Sequence, residues 1–342
     1  MLKKTFLALA ILFAAFIGAG FFLPIHYHVE RSAAIERPAA TVFTLLNSYR
    51  TFNRWSPWAE RDPGAHYALT GPDSGPGARL DWSGDPRLVG TGWQEITLSR
   101  PFERIEMHLD FGAQGTADSY YDLSSDGQGT RLTWGFDTDV TRERGFFGAL
   151  MGRYFGLFLD RWIGSDYEQG LARFKAFAES LPGSDFAGAD IRVLDVQPVP
   201  ILFVRGSGGG DAVSTAAALG AAFAELGGFI AQHGIEVTGQ PMAISRAWDE
   251  TGYRFDAALP VDRLPERPGA GIGTGLSPGG RAVRIVHRGP YALLPATYEQ
   301  LAAFMAAHGL RQGPVSWEHY ISDPGNTPPE KLLTHVYFQV GE

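Results

Sequence analysis

Cysteine is absent from the 342-residue chain. That excludes a disulfide scaffold, a thiolate-ligated zinc or iron–sulfur centre, and a thiol nucleophile. Positive charge is in deficit: 29 Lys and Arg stand against 37 Asp and Glu, a net charge of −8. Phosphate backbones are gripped by clustered Lys and Arg, so nucleic acid is not an expected partner, while cationic or neutral small molecules suit the charge better than anions. Phosphate and nucleophile motifs are missing too. Gly206-Ser-Gly-Gly-Gly210 lacks the Gly-Lys-Ser/Thr of a P-loop, and Gly269 to Gly275 lacks the G-x-G-x-x-G order. Gly275-Leu-Ser-Pro-Gly279 has the letters of a nucleophile elbow, but Gly-rich sequence precedes it and a strand pattern follows. His26 and His28 share a strand face with no third ligand nearby. No metal and no cofactor are therefore expected. What is present is apolar sequence, 44% of the chain, enough for two packed domains.

Lys3 and Lys4 precede an uncharged run, Thr5 to Leu23, closed by Pro24. Nineteen helical residues span roughly 28 Å, about one hydrocarbon core. A cleaved signal would stop near the small residues Gly18-Ala19-Gly20, but Phe21-Phe22-Leu23 prolongs the run. The expectation is an uncleaved single-pass anchor in the cytoplasmic (inner) membrane. The positive-inside rule keeps the lysines cytoplasmic and sends the body to the periplasmic or extracytoplasmic side.

Residues 26–182 read as strand, helix, several strands, then a long helix. Pro38 opens a helical stretch with Val42, Phe43, Leu45 and Leu46 apolar. Ile105, Met107, Leu109 and then Leu132, Trp134, Phe136 alternate with polar residues, the period of half-buried antiparallel strands. Phe155, Phe158, Leu159, Trp162, Ile163, Tyr167, Leu171, Phe174, Phe177 and Leu181 follow one helix face. Phe52-Asn-Arg-Trp-Ser-Pro-Trp58, Gly90-Thr-Gly-Trp-Gln94 and the terminal helix, in that order, resemble the START-like or polyketide-cyclase-like (SRPBCC) superfamily. That resemblance implies a helix-grip fold, an antiparallel sheet around a long C-terminal helix, enclosing an apolar cavity. Trp93, Trp134 and Phe136 are its expected ligand-facing residues.

Residues 183–190, Pro- and Gly-bearing without apolar period, read as a linker. Residues 191–342 contain a repeat: Phe229-Ile-Ala-Gln-His-Gly-Ile235 recurs 75 residues later as Phe304-Met-Ala-Ala-His-Gly-Leu310. Each copy ends a helical pattern, with Gly234 and Gly309 at the cap. Strand patterns flank each helix, Val193–Val204, Met242–Trp248 and Tyr253–Leu259 in the first, Ala282–His287, Val315–Ile321 and Leu332–Val340 in the second. Two strand–helix–strand–strand units should share one antiparallel sheet with both helices on one face and a groove between halves. The overall class is α+β.

His287-Arg-Gly-Pro-Tyr291, Trp317-Glu-His-Tyr-Ile-Ser-Asp-Pro324 and Thr327-Pro-Pro-Glu-Lys331 resemble the gyrase-inhibitor-like (GyrI-like) domain, the effector-binding domain of AraC-type regulators. The resemblance implies an aromatic cleft centred on a glutamate that meets cationic or polarised ligands. Here that glutamate is Glu318, with Trp317, Tyr320 and Tyr291 around it. Spacing alone favours a surface position for Glu318 on an edge strand, and it is the resemblance that makes it a pocket residue. A carboxylate in an aromatic cleft should have a raised pKa and favour a cation, helped by aromatic faces. Three functions stay open: membrane-anchored binding of hydrophobic small molecules through two pockets, hydrolysis of small electrophiles with Glu318 catalytic and Tyr291 or Tyr320 as acid, and transcriptional regulation, for which no DNA-binding module is legible. The sequence does not settle ligand or oligomeric state.

Overall fold

A computed structural model describes residues 2–142, 144–209, 212–249 and 252–341. The chain divides between Gly183 and Ser184 into two units.

The first unit begins with helix α1 (Leu2–Phe21), then strand β1 (His26–Ile35) and helices α2 (Ala39–Leu46) and α3 (Pro57–Arg61). Six strands follow, β2 (His66–Thr70), β3 (Arg79–Ser83), β4 (Thr91–Arg100), β5 (Arg104–Asp110), β6 (Thr116–Asp126) and β7 (Gly129–Asp139), and then helices α4 (Phe146–Gly156) and α5 (Leu159–Glu179). All seven strands form one antiparallel sheet in the order β1-β7-β6-β5-β4-β3-β2. Helix α5 packs along β1. Its stripe Tyr167, Leu171, Phe174 and Ala178 is buried at steps of four and three, the spacing that keeps side chains on one helix face. Asp166 on that helix accepts the indole N–H of Trp58 at 3.0 Å and pairs with Arg61, tying α3 to α5.

The terminal helical pattern is broken at Leu157–Phe158 into α4 and α5. Gly156 sits so close to the Tyr27 ring that a Cβ would collide with it. Phe155, Phe158 and Trp162, read from sequence as part of the core stripe, are about half exposed instead.

The second unit contains β8 (Ile191–Val196), β9 (Pro200–Gly208), α6 (Ala212–His233), β10 (Met242–Asp249), β11 (Gly252–Pro260), β12 (Ile272–Leu276), β13 (Gly280–Arg288), α7 (Leu294–Ala307), β14 (Gln312–Tyr320) and β15 (Leu333–Val340). Its eight strands form one antiparallel sheet, β12-β9-β11-β10-β14-β15-β13-β8. The repeats β9-α6-β10-β11 and β13-α7-β14-β15 meet at the central β10–β14 pair, and the extra strands β12 and β8 close the two flanks symmetrically. The strand pattern Val193–Val204 is therefore two strands. Pro198 and Pro200 interrupt it, and β8 crosses to the far repeat to pair with β13. Gly234 and Gly309 end their helices at φ 57° and 65°, the left-handed conformation a C-terminal cap needs.

The segment after Gly183 is not a bare spacer. Phe186 is buried and meets Phe304 of α7 edge-on at 5.6 Å, and Gln300 donates to the Asp185 carbonyl at 2.8 Å. Among the described residues two helical stretches, Lys4–Phe21 and Val213–His233, are long and apolar enough to cross a membrane. The second buries Ala222, Leu226 and Ile230 against its own sheet.

Candidate functional site

A cleft of about 1240 Å³ lies on the helix side of the second sheet, between α6 and α7. Its floor is the junction of the repeats, where Ala243 of β10 lies directly opposite Glu318 of β14. Strand β14 is thus central rather than an edge. Alternation along it aims Glu318 and Tyr320 into the cleft.

Glu318 is 8% exposed. Both its oxygens are held: the Tyr298 O–H donates to Oε1 at 2.6 Å and the Tyr320 O–H to Oε2 at 2.7 Å. Burial pushes the Glu318 carboxyl above its usual range, and the two phenol hydrogen bonds and the nearby His287 oppose that rise without cancelling it. Tyr298 and Tyr320 are raised well above the ordinary phenol value by burial and by the adjoining carboxylate, so both stay protonated donors at neutral pH.

Aromatic rings wall the site. Tyr320 is met edge-on by Phe223 of α6 at 6.1 Å and by Tyr291 at 5.7 Å. Tyr253 of β11, another lining residue, shares a hydrogen bond with Ser245 at 3.0 Å. Among the described residues, the charged side chains lining the cleft are Glu318, Asp323 and Arg246. Arg246 is already paired with the fully buried Asp256. The charge left over is negative.

The His287-Arg-Gly-Pro-Tyr291 motif has a structural meaning. His287 Nε2–H donates to the Pro290 carbonyl at 3.2 Å, and Nδ1 bonds the Thr297 hydroxyl of α7 at 2.7 Å. The imidazole thereby latches the turn that presents Tyr291 to the helix that presents Tyr298.

Of the residues expected from sequence, Glu318, Tyr320 and Tyr291 come together here. Trp317 does not. One step along the strand reverses the side chain, and Trp317 is 0% exposed, stacked on Tyr337 at 4.9 Å on the opposite face. The three expected in the first unit are also displaced from a ligand-facing role. Trp93 lies on the sheet face opposite buried Gln94 and Ile96, with the Arg79 guanidinium 4.0 Å above its ring. Trp134 and Phe136 are packed in the core. Tyr167 stacks on Trp134 at 3.9 Å, Trp55 and Trp58 meet it edge-on, and its N–H is spent on Ser119 at 3.1 Å.

Sequence reasoning missed Tyr298, Tyr253 and Phe223. Tyr298 and Phe223 occupy equivalent positions of the repeat, and both read as helix core. A tyrosine at the equivalent of a phenylalanine was the available signal. Among the described residues no three His, Asp or Glu converge as a metal set, and His28 is engaged with Asp137 at 2.8 Å.

In comparison with known proteins, residues 26–179 match the family described as polyketide cyclase / dehydrase and lipid transport, and residues 189–340 match the family described as GyrI-like small molecule binding domain. No curated protein matches the chain. Solved structures resemble parts of it. The EcmrR C-terminal domain is 16% identical, with TM-score 0.39, covering 45% of this chain and 99% of that one. A hydrolase from Listeria innocua is 18% identical, with TM-score 0.33, covering 44% and 91%. StfQ, a di-domain ARO/CYC protein of the steffimycin biosynthetic pathway, is 15% identical, with TM-score 0.34, covering 46% and 51%.

Proposed function

Starting from a chain that joins a polyketide-cyclase-like (SRPBCC) domain to a GyrI-like small-molecule-binding domain, we propose that the protein binds hydrophobic cations, or molecules with a polarised positive end, in the cleft of its second unit. We place that binding at a membrane held by α1, on the extracytoplasmic side, in the service of sensing, sequestration or detoxification. The observation that carries the reading is Glu318: a buried carboxylate with each oxygen held by a tyrosine, inside an aromatic cleft whose lining Arg246 is already paired with Asp256.

The physical logic is differential. Burial makes the ionised carboxylate costly in the empty cleft, and a cation that enters offsets that cost. Ring faces add attraction to the same charge. A neutral ligand of the same shape gains only the apolar contact.

The test is a titration of matched cationic and neutral aromatic dyes against the full chain and Glu318→Gln. The variant keeps the shape and loses the charge, with one acceptor oxygen retained and the other replaced by a donor to which one of the two phenol oxygens must turn as acceptor. Cation affinity should fall by the roughly 2–5 kcal/mol that accompanies loss of one partner of a desolvated charge pair, about 30-fold or more. The neutral dye should change far less. Equal loss for both, or none for either, refutes charge recognition by Glu318.

The same geometry supports a second reading. A carboxylate with a raised pKa flanked by two protonated phenols is a base-and-acid set of the kind that opens a strained electrophile. Under that reading Glu318→Gln abolishes turnover while dye binding persists.

A further inference from the structure

Phe155, Phe158 and Trp162, which the sequence pattern assigned to the core and the fold left outside it, join Phe146, Phe147 and Met151 in a surface around α4. Phe146, Phe147, Met151, Phe155, Phe158 and Trp162 are each between 42% and 65% exposed. Soluble monomers seldom gather so much contiguous apolar surface without a partner for it. We infer that α4 and the corner leading into α5 are a second membrane-embedded element, seated in the lipid leaflet that receives the end of α1. The inference rests on the reading of α1 as a membrane span.

The occupant follows from what α4 touches. Phe16 of α1 stacks on Tyr154 at 4.3 Å, and Phe21 meets Phe146 at 6.0 Å. Gly20 lies against Leu150 so closely that a Cβ would clash, the small-residue contact by which helices approach within a bilayer. Arg153 donates to the carbonyls of Phe21 and Leu23 at 2.9 and 3.1 Å, satisfying acceptors that the end of a helix leaves open. The Tyr154 O–H donates to the Phe16 carbonyl at 2.5 Å. These contacts confine α4 to residues 16–23, the last six residues of α1 and the two that follow, about 9 Å of helix at its outer end. An amphipathic helix that lies in the membrane interface is buried to about that depth. Any plane that holds α1 across a bilayer therefore holds α4 at the boundary between headgroups and acyl chains.

Composition agrees with that position. Phe and Trp dominate the exposed surface, and Trp is enriched at membrane interfaces. Arg144 and Arg161 are exposed at its two ends, where anionic headgroups would meet them. Asp160, the acidic residue at the corner, is taken by Arg31 at 3.0 Å.

The missing cysteine makes the experiment direct, because one introduced cysteine carries one nitroxide. The full chain is reconstituted in phosphatidylcholine–phosphatidylglycerol vesicles with labels at Phe147→Cys, Phe155→Cys or Phe158→Cys. Ile11→Cys in α1 and Leu69→Cys on exposed β2 are the references. Collisions with dissolved oxygen and with a water-soluble nickel chelate are measured for each. The three α4–α5 labels should gain oxygen collisions and lose nickel collisions relative to Leu69, as Ile11 does. Labels that behave like Leu69 while Ile11 stays lipid-like overturn the inference and leave the anchor standing. A water-like Ile11 overturns the anchor and the inference together. Labels shielded from both reagents and broadened by mutual coupling mean that a second copy covers the surface, which also overturns it.

Discussion

Residues 243 and 318 face one another across the central strand pair of the second sheet, related by the repeat, yet one is alanine and the other glutamate. The same relation links Phe223 with Tyr298 and Ser245 with Tyr320. At each pair the first repeat carries the smaller or less polar side chain. The second carries the carboxylate and the two phenols that hold it. Duplication built a groove with symmetric walls, and three side-chain differences gave it one charge on one side. A glutamate at both positions would set two carboxylates directly opposite, where like charges destabilise a strand pair and one of them is driven to stay protonated. The asymmetry is what allows a single buried anion.

The largest expected effect comes from forcing the repeats to match. Ala243 is 0% exposed. Ala243→Glu would bury a second carboxylate with no tyrosine positioned for it, and should destabilise the fold at neutral pH on the order of 3–5 kcal/mol, the cost of an uncompensated buried charge. Urea unfolding checks it, and the loss should shrink in acid as the carboxyls protonate. A loss below about 1 kcal/mol, by the same principle, would mean the junction is wetter than its burial indicates.

Making the second repeat resemble the first at its helix has a smaller effect. Tyr298→Phe deletes one hydrogen bond to Glu318, worth about 1.5–3 kcal/mol when the acceptor is charged. The Glu318 pKa should rise further, and cation binding at neutral pH should weaken. Carboxyl chemical shifts followed through a pH titration would read the shift, and an unmoved or lowered pKa would remove Tyr298 from the site. Phe223→Tyr in the first repeat should leave that titration in place.

The smallest effect is the pH dependence of stability. Because the folded pKa of Glu318 is raised, its contribution to stability is fully present below the unfolded carboxylate pKa and is lost as pH climbs through the folded value. Glu318→Gln has no such loss. Its stability relative to the parent should therefore grow across that window and level off above it, by about 1.4 kcal/mol for each unit of pKa rise. Melting curves of both proteins from acid to neutral pH would show it. A gap that narrows with rising pH would reverse the sign of the shift.

Much of the second unit was legible because its signals are local. Helix periodicity, strand alternation, two His-Gly helix ends and a recurring heptapeptide are each properties of a short stretch of chain. Glu318 was found through its motif, and spacing alone could not separate it from a surface residue. Its partner Tyr298 was hidden. On α7 it shares an apolar stripe with Leu294 and Leu301, and a tyrosine in such a stripe reads as core until the strand that receives its hydroxyl is known. Trp317 was misplaced for the opposite reason. It adjoins Glu318 in sequence, but a strand sends neighbours to opposite faces, so membership of one motif did not mean membership of one site. The resemblance implies a cavity in front of the Trp134 ring, whereas alternation specifies only that the ring points inward and says nothing about what fills the interior. Tyr167, Trp55 and Trp58 fill it.

Sequence by itself therefore determined the division into two units, the duplication and its α+β class, the helix caps, and the identity of the central carboxylate. Those depend on periodicity, backbone conformation and motif, which act over a few residues. Only the tertiary structure decided which tyrosines hold Glu318, which charge Arg246 spends on Asp256, which tryptophans are sealed in a core, and which aromatic residues of α4 stay outside. Those outcomes depend on contacts between different strands and helices, from ten residues apart for Arg246 and Asp256 to 138 for Phe16 and Tyr154, and only the Tyr320 contact lies within one strand.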